Sequence, residues 1–152
     1  MTISIAAESP LQEDVQPLIS AAHAYANALY PPTSNHYLDV RALAGSDVVF
    51  LVARDGDGRA IGTGAVKQVG AKLGEVKQMW ADPACRGSGI GRHLLARIET
   101  EARRLGLTRL ALETGIHNTE ALGLYRASGF ADCQPFADYR PDHLSVFLDK
   151  AL

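Results

Sequence analysis

Arg86-Gly87-Ser88-Gly89-Ile90-Gly91 joins a strand-like run, Gly74–Ala81, to a long helical pattern that begins near Gly89. Three glycines let the backbone turn tightly and present its N–H groups without side-chain obstruction. The helix start behind them adds orphan donors and the positive end of a dipole. A strand, a glycine turn and a helix in this order make a site for a phosphate-bearing ligand. The plainer alternative is a strand-to-helix turn with no ligand.

Two familiar glycine loops do not fit. A triphosphate-binding loop ends in Gly-Lys-Ser/Thr, whereas Gly91 is followed by Arg92 and His93. A dinucleotide fingerprint needs a third glycine three residues after the second. Counted from Gly87 and Gly89 that place holds Arg92, and counted from Gly89 and Gly91 it holds Leu94.

Around this loop the chain has the profile of an ordinary soluble domain. Its 152 residues predict one domain, 1–152, and its 47% apolar and 21% charged residues suit a packed core. A net charge of −2 gives no electrostatic case for nucleic acid. Cys85 and Cys133 are too few for a disulfide framework and are not spaced as metal ligands. No stretch approaches the ~20 apolar residues needed to span a membrane. Met1-Thr2-Ile3-Ser4-Ile5 lacks a basic, then apolar, leader pattern, so a cytoplasmic protein is the expectation.

Periodicity and turn signals divide the chain further. Thr2–Ala7 alternates as a strand. Ser9-Pro10-Leu11-Gln12 resembles a helix start, but Pro17 moves the regular helix to about Asp14, from where the pattern runs to Tyr30. Asn35–Ala44 predicts a second short helix. Val48–Arg54 and Ala60–Gln68 predict a hairpin turning at Asp55-Gly56-Asp57-Gly58, and Glu75–Ala81 the next strand. Ile90, Leu94, Ile98, Ala102 and Leu105 form one helical stripe closed by Gly106. Arg109–Glu113 follows as a strand, Asn118–Ser128 as a helix, and Ala131–Pro135 and Leu144–Asp149 as the last strands. The order β-α-α-β-β-β-α-β-α-β-β predicts an α/β chain with a mixed, mostly antiparallel sheet and helices on both faces.

Two blocks now carry a resemblance. Arg86–Gly91 matches an Arg/Gln-x-x-Gly-x-Gly/Ala signature behind the strand Val76-Lys77-Gln78-Met79-Trp80-Ala81 and the turn Asp82-Pro83. Asn118-Thr119-Glu120-Ala121-Leu122-Gly123-Leu124-Tyr125-Arg126-Ala127-Ser128-Gly129-Phe130 matches Asn-x-x-Ala-x-x-Leu-Tyr-x-x-x-Gly-Phe. In this pairing and order the chain resembles the GNAT superfamily of N-acetyltransferases, which use acetyl-CoA. The closing segment, Pro135–Tyr139 and Leu144–Leu148, is similar to a small bacterial single-domain subgroup.

The resemblance implies acetyl-CoA as cosubstrate, no metal, and direct transfer of the acetyl group to a primary amine of a small molecule or amino acid. The N–H groups of Gly87, Ser88, Gly89, Ile90 and Gly91 would hold the pyrophosphate of coenzyme A, with Arg86 and Arg92 adding charge. Met79, Trp80 and Ala81 would pair through their backbone with the pantetheine arm, and a bulge there would open a slot in the sheet. Tyr125 is the expected general acid. A thiol of pKa ~8.5 is a stronger acid than a phenol of pKa ~10, so full transfer is uphill by about 2 kcal/mol. Tyr125 is therefore expected to hydrogen-bond to the departing sulfur.

An amine must also lose a proton before it attacks. Glu75 is the leading base, an even number of residues before Met79 on one strand, and Glu113 is second. Asn118 is expected as a helix N-cap and, by resemblance, as a contact of the coenzyme. His36 and Tyr139 would border the acceptor pocket. The other readings are a protein or peptide N-acetyltransferase and a coenzyme A-binding sensor without turnover. The family is often dimeric, so a homodimer is one arrangement the resemblance allows.

Overall fold

The computed structural model describes residues 2–152. Along the chain run β1 (Ser4–Ala7), α1 (Gln16–Leu29), α2 (Val40–Leu43), β2 (Val48–Arg54), β3 (Ala60–Gln68), β4 (Leu73–Ala81), α3 (Ile90–Arg104), β5 (Arg109–Gly115), α4 (Thr119–Ala127), β6 (Ala131–Asp132) and β7 (Ser145–Ala151). The strands form one sheet in the order β1-β2-β3-β4-β5-β7-β6. Its pairs are antiparallel except β4 with β5, which is parallel. This is the expected order of elements and the expected mixed, mostly antiparallel sheet. Among the described residues no helix is long and apolar enough to cross a membrane.

Each face of the sheet has its own core. On one face α3 buries Ile90, Leu94, Leu95, Ile98 and Ala102 against Leu51, Ile61, Val66 and Leu110, and α4 adds Leu122 and Tyr125. The stripe ends one turn early, with Leu105 46% exposed, because the chain turns away through Gly106 at φ +76°. On the other face Val15, Leu18 and Ile19 meet Leu43, Phe50, Val52 and Ala65.

Several boundaries differ from the sequence reading. Ser9 caps only a local turn, its Oγ accepting from Leu11 N at 3.1 Å, and α1 starts at Gln16 with Pro17 in its first turn. The segment 35–44 is not one helix. Residues 35–38 are irregular, and only Val40–Leu43 is helical, capped by Asp39 Oδ1 accepting from Ala42 N at 2.8 Å. Tertiary partners decide this: Asn35 Nδ2 donates to Tyr30 O at 3.3 Å, and Tyr37 stacks on His23 at 3.9 Å. Asn, His and Tyr are weak helix formers, so such contacts prevail. β6 stops at Asp132 instead of reaching Pro135, although Cys133 N still donates to Phe147 O at 2.9 Å. β5 runs on to Gly115, and β7 is displaced to Ser145–Ala151.

The feature that positions the site is a split between β4 and β5. They pair only over Leu73–Glu75 and Arg109–Ala111. There Gly74 allows a tight fit: a Cβ on it would lie 2.8 Å from Leu107 and 2.9 Å from Val66. Beyond Glu75 the register of β4 against β3 shifts, from Ala65 opposite Lys77 to Thr63 opposite Trp80. Gln78 and Met79 therefore both stand against Gly64, with Gln78 at φ +54°. Thr63 Oγ1 fixes the bulge by donating to Gln78 O at 2.8 Å. An inserted residue bends its strand and increases its twist. The facing edges of β4 and β5 are then left without ladder partners, as the sequence reading expected of a bulge here.

Candidate active site

The split opens into a cleft of about 950 Å³, lined by β4 from Val76 to Ala81, the glycine loop, the end of β5, the start of α4 and the inner side of α1. At one end Gly87 and Gly89 have φ of +88° and +79°, a region that side chains other than glycine enter at a cost. Among the described residues no N–H from Gly87 to Arg92 donates to a protein group, and His93 N is the first to do so, to Gly89 O at 3.0 Å. A run of oriented, unpartnered N–H groups at a helix start suits an anion. Arg86 Nε donates to Ala81 O at 3.2 Å, and its guanidinium lies 4.8 Å from the centre of the Trp80 ring. Arg92 is exposed at the helix start.

Tyr125 reaches the cleft from α4. Its side chain is buried, and its hydroxyl has no hydrogen-bond partner among the described residues. Burial pushes the phenol well above its usual range. Full proton transfer to a thiolate is thereby made still less favourable, so donation of a hydrogen bond is the chemistry this group can supply.

Asn118 stands at the N-cap of α4, yet its side chain makes no cap bond, contrary to the expectation. It is held elsewhere: Oδ1 accepts from Tyr30 Oη at 3.1 Å and Nδ2 donates to Thr114 Oγ1 at 3.0 Å.

The two carboxylates occupy different surroundings. The even spacing of Glu75 and Met79 implied a shared face, but the bulge at Gln78 inverts the alternation. Met79 Sδ points to the α3 side, 3.0 Å from where a Cβ on Gly64 would sit, beside Ile98. Glu75 lies on the opposite face, buried, and accepts from Lys77 Nζ at 3.2 Å and from the Tyr139 hydroxyl. Burial, then the Glu75 charge, hold the Tyr139 phenol above its usual range. Glu75 and Tyr139 border a second hollow, with Arg140 and Asp142, and not the cleft, whereas Lys77 borders both. Glu113 does line the cleft. Burial raises its carboxyl above the ordinary range, and Ser145 Oγ donates to it at 2.7 Å. His36 is exposed and borders both spaces; its carbonyl accepts from Lys77 Nζ at 2.7 Å, and its ring meets Tyr139 edge-on at 5.2 Å.

Residues 15–130 match the acetyltransferase (GNAT) family. The chain belongs to that family. It is 49% identical over 151 residues to the IAA acetyltransferase of Azospirillum brasilense, covering 99% of this chain and 98% of that protein. A Klebsiella pneumoniae crystal structure, assigned as an acyl-CoA N-acyltransferase, superposes with a TM-score of 0.83 at 34% identity over 99% of this chain and 97% of that one. The PaiA N-acetyltransferase of Thermoplasma acidophilum, solved in complex with coenzyme A, shares the fold over 100% of both chains, with a TM-score of 0.73 at 19% identity. The chain is an N-acetyltransferase with the GNAT fold, and GNAT enzymes use acetyl-CoA.

In this acetyltransferase α1 crosses the split and ties both of its sides. His23 Nε2 lies 3.3 Å from Gln78 Oε1 on the β4 bulge, and burial lowers the pKa of the ring. About two turns on, just past the end of α1, Tyr30 is buried against Gly115, where a Cβ would sit 1.9 Å from its hydroxyl oxygen. That hydroxyl also accepts from His117 N at 3.0 Å. Sequence reasoning missed His23, Tyr25, Tyr30 and Gln78, all of which line the cleft. Only Ala22, Ala26 and Tyr30, each four residues after the last, with His23 beside them, hinted at a helix face that is not simple core.

Proposed function

We propose that the whole chain, 1–152, is a single cytoplasmic domain that transfers an acetyl group directly from acetyl-CoA to a primary amine of a small molecule, without a metal. The observation that carries this reading is the β4–β5 split, with unpartnered N–H groups at its glycine-loop end and Tyr125 and Glu113 on its walls. The thioester of acetyl-CoA supplies the activated acetyl group. The N–H groups of Gly87–Gly91 suit its pyrophosphate, with Arg86 and Arg92 nearby, and Asn118 borders the same cleft. The unpaired edge of β4 at Met79, Trp80 and Ala81 offers donors and acceptors to the amides of the pantetheine arm, as an added strand would use them. A β4 N–H near Met79 can also stabilise the oxyanion that develops on the acetyl carbonyl.

Glu113 takes precedence over Glu75 as the base. It lines the cleft, and a carboxyl raised by burial is closer in basicity to what a proton acceptor near neutral pH requires. Glu75, bound by Lys77 and Tyr139, instead holds the charge of Lys77 next to His36. The proton of the attacking ammonium passes to Glu113, the neutral amine adds to the carbonyl, and the carbon–sulfur bond breaks with Tyr125 hydrogen-bonded to the departing thiolate, which takes up the second proton that the nitrogen sheds as the amide forms. His36 borders the acceptor's side of the cleft, and Tyr139 packs edge-on against its ring from the neighbouring hollow.

A small acceptor is favoured because α1 and residues 34–38 cross that side of the cleft. The name of the Azospirillum relative points the same way. The test is thiol release from acetyl-CoA with a panel of amines, amino acids and peptides. Turnover of small amines is expected. Turnover of peptides alone would replace the acceptor class, and acetyl-CoA binding without turnover would leave a sensor.

A further inference from the structure

We propose that the acceptor chamber between α1 and the split strands is shaped for a primary amine carried on a planar aromatic body that bears an oxygen. The amine part rests on the acetyltransferase reading; the aromatic and oxygen parts rest on separate observations.

The first is a pair of aromatic walls. Tyr25 and Tyr37 are each 43% exposed, although both line the cleft. Neither ring is loose. Tyr25 lies 5.6 Å from Trp80 at 56°, and Tyr37 is stacked on His23 at 3.9 Å and 17°. Tyr37 is further fixed by its hydroxyl, which donates to Asn27 Oδ1 at 3.1 Å. Rigid rings open to a cavity offer faces and edges to another ring at little entropic cost.

The second is room. Ala22 and Ala26, one turn apart on α1, line the same cleft, and their methyl groups leave space where longer side chains would fill it. The third is a pair of orphan donors. Gln78 Nε2 and Trp80 Nε1 are buried and have no hydrogen-bond partner, although both residues line the cleft. Buried donors are almost always satisfied, and since neither atom is open to the cleft, an oxygen on the ligand would satisfy them through a turn of the Gln78 amide or the Trp80 ring toward it. An aliphatic amine would fill the space but match neither the rings nor the donors.

The experiment uses the full chain at saturating acetyl-CoA, with tyramine, 2-phenylethylamine and n-hexylamine as acceptors. The expected order of kcat/KM is tyramine, then 2-phenylethylamine, then hexylamine, the aromatic step being about 5-fold, the scale of one aromatic contact. Tyr25→Ala should shrink that step, and Tyr25→Phe should restore it. Trp80 is the sole tryptophan, so its fluorescence reads amine binding even where there is no turnover. Equal kcat/KM and equal fluorescence Kd for all three amines would overturn the chamber proposal and leave acetyl transfer standing. Aromatic-selective quenching with no acetylation of any amine would do the reverse.

Discussion

The lower and upper halves of β4 and β5 are continuous strands, yet they do opposite things. Over Leu73–Glu75 and Arg109–Ala111 the two strands pair and Gly74 lets Leu107, Val66 and Leu110 close over them. From Val76 and Leu112 onward they part and line a cleft. The lower half has its backbone bonds satisfied within the sheet. The upper half keeps an edge free and holds its shape through side chains: Thr63 on the bulge, His23 beside Gln78, and Tyr30 against Gly115. A sheet is thus opened without being left loose, because a helix laid across the gap replaces the missing ladder.

Substitutions can break either half. The largest effect is expected from Gly115→Ala, because the new methyl would lie 1.9 Å from the Tyr30 hydroxyl oxygen and displace the clamp on His117 and Asn118. A loss of about 3 kcal/mol in urea unfolding is expected from such overpacking; an unchanged midpoint would show that the clamp yields freely. Tyr125→Phe leaves the packing of α4 intact and should lower kcat about 100-fold, with little change in KM for acetyl-CoA. An unchanged kcat would remove Tyr125 from the chemistry. In the closed half, Gly74→Ala should cost about 2 kcal/mol by the same unfolding measurement, since its Cβ meets side chains on three sides.

Glu113→Gln sharpens the comparison through pH. Burial raises the Glu113 carboxyl, so in the wild type kcat/KM should fall as pH drops through a value above the ordinary carboxylate range. The Gln variant should lose that acidic limb, and its persistence would place the base elsewhere. The stability effect has the opposite sense. A carboxyl raised on folding binds its proton more tightly in the native state, so stability is greatest below its unfolded pKa and declines as pH rises through the folded one. The Gln variant should lack that decline. The smallest effect belongs to Arg126→Ala, which removes an exposed surface pair with Asp132. A change of less than about 0.5 kcal/mol is expected.

Much of this was legible in the chain. The glycine loop could be read because φ above zero at Gly87 and Gly89 is a local demand that only certain residues meet. The α3 stripe could be read because its period is local too. Glu75 does not share a face with Met79 because the β4 bulge, which the family resemblance implied but no local pattern at Gln78 marks, interrupts the alternation. Asn118 failed as a cap because Tyr30, 88 positions earlier, competes for its amide. The helix expected over Asn35–Ala44 failed for a related reason, since Asn27 and His23 on α1 hold Tyr37 in place.

The sequence by itself determined the order of elements, the sheet class, the glycine turn and the two blocks that mark a GNAT acetyltransferase. Each depends on residues close together in the chain, where backbone sterics and side-chain period act directly. The tertiary structure decided where β4 and β5 part, which carboxylate lines the cleft, and that α1 bridges the gap. Those depend on one inserted residue and on contacts between distant segments, whose energies no local pattern records.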